Sequence, residues 1–183
     1  MTIIRRSGVL IHYPLSINFM FREYCGVEPK IGKNCFIAET AAVVGKVTMG
    51  DNCSIWYGAV LRGDVNSITI GDRTNIQDNA TVHVTGGTGP TVIGNDVSVG
   101  HNACVHGCTI KDGALIGMGS TVLDGAVVGE GAIVAAGALV LQHTVIPPHE
   151  IWGGVPAKYI KPAKPGQAEE FAAHYIEVMK NYK

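Results

Sequence analysis

Three imidazoles, His83, His101 and His106, fall within 24 residues of one another. Neutral imidazole is the commonest metal ligand, and three with a fourth position open is the plan of a catalytic zinc site. Arg62, Asp64, Gln77 and Asp78 precede them and offer a cation, two carboxylates and an amide. Cys104 and Cys108 make a rival ligand set, His101-x2-Cys104-x-His106-x-Cys108. Neighbouring residues of a strand point to opposite sides, so those four do not converge on one ion. Cys35 and Cys53 read as core residues, and His12, His143, His149 and His174 have no partner in the pattern.

What holds the histidines in place is a period of six. Ile31, Ile37, Val43, Met49, Ile55 and Leu61 are six apart; after a three-residue insertion Ile70, Ile76 and Val82 continue the series. A five-residue insertion within 85–91 leads to Ile93, Val99 and Val105. One residue is then dropped, and Ile110, Ile116, Val122, Val128, Val134, Val140, Ile146 and Trp152 complete the series. Such a period is neither that of an amphipathic helix nor that of an alternating strand, and it marks an internal repeat. With one short strand and one corner per hexad, the aliphatic residue points inward, and the small residue four later (Ala59, Ala80 and Ala103 among others) fills the space beside it. Three hexads close a triangular coil, and coils stack as parallel strands about 4.8 Å apart. The period leaves the hand of the coil open.

The flanks read more simply. Ile3, Ile4, Val9 and Leu10 around Ser7-Gly8 predict one or two short lead-in strands. A Pro-rich linker, 161–166, precedes a helix over Gln167–Lys180 with Phe171, Tyr175, Ile176 and Met179 on one face, packed along the solenoid or a neighbouring subunit. The expected division is a solenoid domain over 1–160, with repeats at about 31–157, and a linker and helix over 161–183.

Counting by faces shows which side chains stack. Leu61, Val82 and Val105 lie one coil apart, so Arg62, His83 and His106 form one outward column. Ile76 and Val99 stack likewise, placing Asp78 beneath His101 on the preceding face. His101 therefore needs a second copy of the chain to reach the other two. A closed trimer of prisms meets that need, with two histidines of each site from one subunit and one from the next. Arg62 is then expected to pair with a carboxylate across the interface.

Composition narrows the partners. With 183 residues, 46% hydrophobic and 16% charged, the chain suits one well-filled domain. A formal charge of -1 without a basic run gives no footprint for nucleic acid or an anionic membrane. Arg5 and Arg6 precede an apolar run that His12, Tyr13, Pro14 and Ser16 interrupt, and no stretch has the length of a membrane span. Five cysteines, an odd number without paired spacing, fit a reducing cytoplasm. A small-molecule substrate is the expectation.

From Ile31 to Ala157 the array resembles the hexapeptide-repeat family, which implies an all-β solenoid, the left-handed parallel β-helix, with a C-terminal α-helix. Trp152-Gly-Gly-Val-Pro-Ala-Lys158 is similar to that family's exit from the last coil. Arg62-Gly-Asp64, Asn75-Ile-Gln77-Asp78, His83, His101 and His106 together resemble the γ-class carbonic anhydrases, in their short bacterial branch. The resemblance implies a homotrimer with His83, His101 and His106 binding zinc, or iron under anaerobic conditions, at subunit interfaces. It also implies hydration of CO2 to bicarbonate by a metal-bound hydroxide. Arg62, Asp64 and Asp78 would tie subunits together, and Gln77 would lie beside the metal-bound water. Val65 and the acid-free stretch 84–92 stand where the archaeal branch carries proton-moving glutamates, so buffer or water is expected to remove the proton. Two alternatives remain: a coenzyme A acyltransferase or thioesterase on the same fold, and a non-catalytic trimeric scaffold that keeps its metal for assembly.

Overall fold

Every hexad needs a sharp corner, and the corner residues show how it is made. Asn52, Arg73, Asn79, Asp96 and Asn102 all take φ between 54° and 58°, the left-handed region that turns the chain after a two- or three-residue strand. A computed structural model of the chain describes residues 4–6, 9–11 and 20–182. There the hexads wind into a parallel β-solenoid. One face carries seven parallel strands, from Phe36–Ile37 through Ser54–Ile55, Asn75–Ile76, Ser98–Val99, Leu115–Ile116 and Ile133–Val134 to Glu150–Gly153. We call it the third face. The other two faces share one 12-stranded sheet, because Ala42–Met49 and Val60–Ile70 run unbroken round the corner between them. The three-residue insertion after Leu61 is absorbed into the second of these long strands.

The interior follows the pattern of the period. Leu61, Val82 and Val105 are wholly buried, as are Ile76, Val99 and Ile116, and Ala59, Ala80 and Ala103 fill the gaps between them. Each buried aliphatic side chain contributes about 1.5–3 kcal/mol, which fixes register coil by coil, since a slip of one residue would expose the whole column. Outward neighbours such as His83 inherit that register.

At the start, Ile4–Arg6 and Val9–Ile11 pair as an antiparallel hairpin, matching the expected lead-in strands. Ile3, the intervening Ser7-Gly8, and His12, Tyr13, Pro14 and Ser16 lie outside the described residues. At the other end, Lys158–Pro162 adds an antiparallel strand to Glu150–Gly153. It crosses residue 160 and takes Lys161 and Pro162 out of the expected linker, because the edge of the last coil offers free backbone groups to pair with.

Helix α1 covers Glu169–Met179, and Lys180–Tyr182 tighten into a 3-10 turn. It runs along the third face against the chain's own solenoid: Ala168 packs with Ile133 and Ile151, while Tyr175 and Tyr182 meet Trp56. Of the expected apolar stripe, Met179 is buried and Tyr175 and Ile176 are half-buried, whereas Phe171 is 43% exposed and Ala168 and Ala172 are buried in its place. Gly100, Gly117 and Ala135 line an open groove beside Phe171. Among the described residues no helix is long and apolar enough to cross a membrane.

Candidate metal centre

Thr81–His83 and Cys104–His106 pair in parallel, with Val82 opposite Val105 and His83 opposite His106. Burial of the two valines thus sets the two imidazoles side by side, ring centroids 5.0 Å apart. His83 Nδ1 and His106 Nε2 face each other at 3.0 Å. The outer nitrogens are each backed by a carboxylate: Asp64 lies 3.0 Å from His83 Nε2 and Asp124 lies 3.1 Å from His106 Nδ1. An ionised carboxylate only accepts, so both outer nitrogens carry the proton. With both rings neutral, each turns its lone pair toward the other. Two lone pairs at that distance repel, and something positive between them, a proton or a metal ion, relieves the conflict. Zn–N bonds of about 2.0–2.1 Å in a tetrahedral array put two ligand nitrogens about 3.3 Å apart. The observed spacing fits a divalent cation to within a few tenths of an ångström.

The backbone beneath is braced as well. The buried Thr91 hydroxyl donates to the His83 carbonyl and accepts from the Gly107 N–H at 2.9 Å.

His101 stands on the third face. Ile76 pairs with Val99, which sets Asp78 below His101, and Asp78 lies 2.8 Å from His101 Nδ1. The freed lone pair on Nε2 accepts from the Tyr175 hydroxyl of α1 at 3.3 Å. Gln77 belongs to this half too. It is buried, donates from Nε2 to Asn75 Oδ1 at 3.0 Å, and Asn75 in turn donates to Ser98 Oγ at 2.8 Å. Beside Gln77 an apolar groove of about 190 Å³ runs between Gly100, Met118 and Phe171.

The expected site residues therefore fall into two halves. Arg62, Asp64, His83 and His106 share one region, and Gln77, Asp78 and His101 share another. Among the described residues, no group of three His, Cys, Asp or Glu side chains is placed to hold a metal ion within one chain. Arg62 is half exposed, and its guanidinium pairs with Asp64 of its own chain. Val65 is exposed. The stretch after His83 folds back, with Thr85 bridged to Gly89 and the Asn66 amide donating to the carbonyls of Thr85 and Gly87.

Charge balance follows these contacts. Burial alone would raise the Asp64 carboxyl, but hydrogen bonds from His83, the Val65 N–H and Arg62 bring it down to about 2. Asp124 is held below the usual carboxylate range, first by the Thr85 hydroxyl and then, against the opposing effect of burial, by His106. Burial drives the Cys108 thiol up to about 12 and raises Cys104 as well. Thiolates are what bind metal, so the Cys104 and Cys108 ligand set is disfavoured by ionisation as well as by geometry. His143 and His149 occupy corners with positive φ, and His174 lies 5.9 Å from the Tyr175 ring.

Sequence reasoning missed Asp124, Thr85, Thr91 and Tyr175. Asp124 was within reach of it: Val122 pairs above Val105, so one more coil of counting puts Asp124 near His106. Tyr175 carried no such signal, because the solenoid period says nothing of where a helix outside it will lie.

A coiled stack of hexads with an outward histidine ladder defines a hexapeptide-repeat protein. The bacterial transferase hexapeptide (six repeats) family model matches residues 28–63 and 107–142. In the solved structure of a hexapeptide transferase family protein from Anaplasma phagocytophilum, 42% identical, the match has a TM-score of 0.86 and covers 90% of this chain and 99% of that one. Sequence relatives are more particular. A Methanocaldococcus jannaschii protein named Probable carbonic anhydrase is 49% identical over 159 residues, covering 84% of this chain and 99% of its own length. Mitochondrial gamma carbonic anhydrase 2 of Arabidopsis thaliana is 50% identical over 159 residues, covering 84% of this chain but 56% of its own length. The chain spans half to three fifths of the length of the plant relatives it matches. This chain belongs to the γ-class carbonic anhydrase family, and its fold is that family's left-handed parallel β-helix.

Proposed function

We propose that this protein is a homotrimeric, metal-dependent carbonic anhydrase that hydrates CO2 to bicarbonate. The observation that carries the reading is the pair of imidazole nitrogens facing each other at 3.0 Å, each ring met by a carboxylate on its far side. His83 and His106 of one subunit and His101 of the next hold the ion, zinc or, under anaerobic conditions, ferrous iron. A cation held by three neutral imidazoles supplies water activated toward ionisation near pH 7, about the pKa of such water at a catalytic zinc. Asp64, Asp124 and Asp78 hold the three rings in their ligating tautomers. Gln77, oriented by Asn75 and Ser98, presents its amide carbonyl to substrate or nucleophile. Arg62 joins subunits through a carboxylate, and Val65 leaves the proton to solvent and buffer. Five free cysteines support a reducing compartment, the cytoplasm.

Facing lone pairs favour a cation over acyl transfer, where a single imidazole works as a base. The scaffold reading shares the same geometry and is separated by turnover. Metal analysis of anaerobically purified protein, paired with a CO2-hydration assay, is the test: bound metal with turnover supports the proposal, and metal-loaded but inert protein leaves the scaffold. Mixing subunits tests the shared site. His101→Ala trimers and His106→Ala trimers should each be metal-free, whereas every mixed trimer should regain one site in three, because only one of its interfaces joins two intact halves. A stable monomer with full metal content would end the trimer reading.

A further inference from the structure

The insertion after His83 leaves the solenoid yet returns to both histidines of the ladder. Its first residue past Val84, Thr85, donates its hydroxyl to Asp124 on the far side of His106, and its last, Thr91, ties the His83 carbonyl to the Gly107 N–H. We propose that Asp124 is a positioning residue for His106, oriented by Thr85, so that the insertion sets the tautomer and aim of the ladder.

Three observations carry this. Both Asp124 oxygens lie near one ring nitrogen, at 3.2 and 3.1 Å from His106 Nδ1, and a carboxylate there accepts the Nδ1 proton and frees Nε2. Thr85 is itself anchored, its N–H bonded to the Gly89 carbonyl at 2.9 Å and its own carbonyl bonded to the Asn66 amide at 3.0 Å. The carboxylate is therefore aimed by a fixed hydroxyl. Gly107 completes the seat: its φ is +55°, and a side chain there would strike the Asp124 carboxylate. A neutral imidazole left to water prefers its proton on Nε2, the nitrogen that faces His83. Without Asp124 the lone pair of His106 would point away from the ladder.

The consequence for metal affinity rests on the proposed function, whereas the tautomer belongs to the chain alone. The two are measured separately on the full-length protein. Long-range proton–nitrogen correlation spectra of metal-free, 15N-labelled protein at about pH 8, where unperturbed imidazole is neutral, read the tautomer of His106. Chelator competition reads zinc affinity. The wild type should show the proton on Nδ1. Asp124→Ala should move it to Nε2 and weaken zinc binding about 10- to 100-fold, the usual effect of losing a ligand's hydrogen-bond partner. Thr85→Val keeps the carboxylate but frees it, so zinc binding should weaken less, and Thr85→Ser should restore it; this pair also serves if Asp124→Ala fails to fold. A wild-type Nδ1 that carries no proton, or an unchanged tautomer in Asp124→Ala, overturns the proposal. A tautomer that moves while zinc affinity holds leaves Asp124 its role and removes the metal from the ladder, which His106→Ala would show independently by retaining zinc.

Discussion

The two halves of the site are made by different means. His83 and His106 sit on paired strands above two wholly buried valines, with exposures of 17% and 29%. Strand register, two carboxylates and a buried threonine all agree on where those rings go. His101 is 36% exposed, and its free nitrogen is met by a tyrosine from a helix that lies outside the repeat. One half is positioned entirely within its own chain. The other depends on how α1 lies and on which chain stands opposite. Under the proposed shared site, the most demanding spacing, between two ligands, would lie inside one chain, and only the third ligand would be left to assembly.

The largest effect expected on this contrast is kinetic. Val65 lies next to Asp64 on the ladder half, exposed, at the position where a glutamate would receive the proton. Positioned acid–base groups contribute about 10²–10⁴-fold, so wild-type CO2 hydration should be slow at low buffer and rise with imidazole-type buffers. Val65→Glu should raise the low-buffer rate and lose its advantage at high buffer. Fast, buffer-insensitive turnover in the wild type would show that another group already carries the proton.

Assembly gives the next largest effect. In the single chain Arg62 is half exposed though Asp64 is mostly buried, and such a pair is worth about 0–1 kcal/mol. If trimerisation buries it, Arg62→Ala leaves a carboxylate uncompensated at a cost of about 3–5 kcal/mol. Sedimentation of the variant should then show dissociation at concentrations where the wild type is trimeric; unchanged assembly would confine Arg62 to its own chain.

A smaller change should separate the halves. Ala172→Leu overfills the contact between α1 and the third face, at about 1–3 kcal/mol, and should lift Tyr175 from His101 without altering the ladder. Imidazole resonances of His101 should shift while those of His83 and His106 stay. Movement of all three would mean that the helix also holds the ladder.

Acid gives the gentlest test. Asp64 has a folded pKa of about 2 against an ordinary 3.8, so its carboxylate stabilises the fold above the unfolded value. That contribution is lost as pH falls through the folded value. Asp124 and Asp112 are shifted the same way. Thermal melting should therefore drop between about pH 4 and pH 2, and Asp64→Asn should flatten part of that fall. An unaltered acid profile in Asp64→Asn would mean that its contacts do not stabilise the folded chain.

The repeat made much of this legible. Inward aliphatic residues six apart, with Ala, Cys or Gly between, specify strand, corner and stacking locally, and stacking alone puts His83 beside His106 and Asp78 beneath His101. Burial enforces the register, so simple counting reaches side chains 23 residues apart. Alternation alone would leave Cys108 on the same side as His106, two residues away; the corner at Gly107, with φ of +55°, turns Cys108 into the core instead.

Other features belong to tertiary structure because their energies are not periodic. The turn of Val60–Ile70 round a corner depends on its pairing with Ala42–Met49. Which side of α1 faces inward was settled by packing against Ile133, Ile151 and Trp56, which places Ala168 and Tyr175 against the solenoid and leaves Phe171 43% exposed. The meeting of Thr85 with Asp124, 39 residues apart, arises from an insertion whose path no repeat dictates. The sequence alone determined the solenoid and the columns of its histidines, because hydrophobic burial repeats every hexad. Only the folded chain decided that Asp64 backs His83 and Asp124 backs His106, because those hydrogen bonds depend on where corners and loops come to rest.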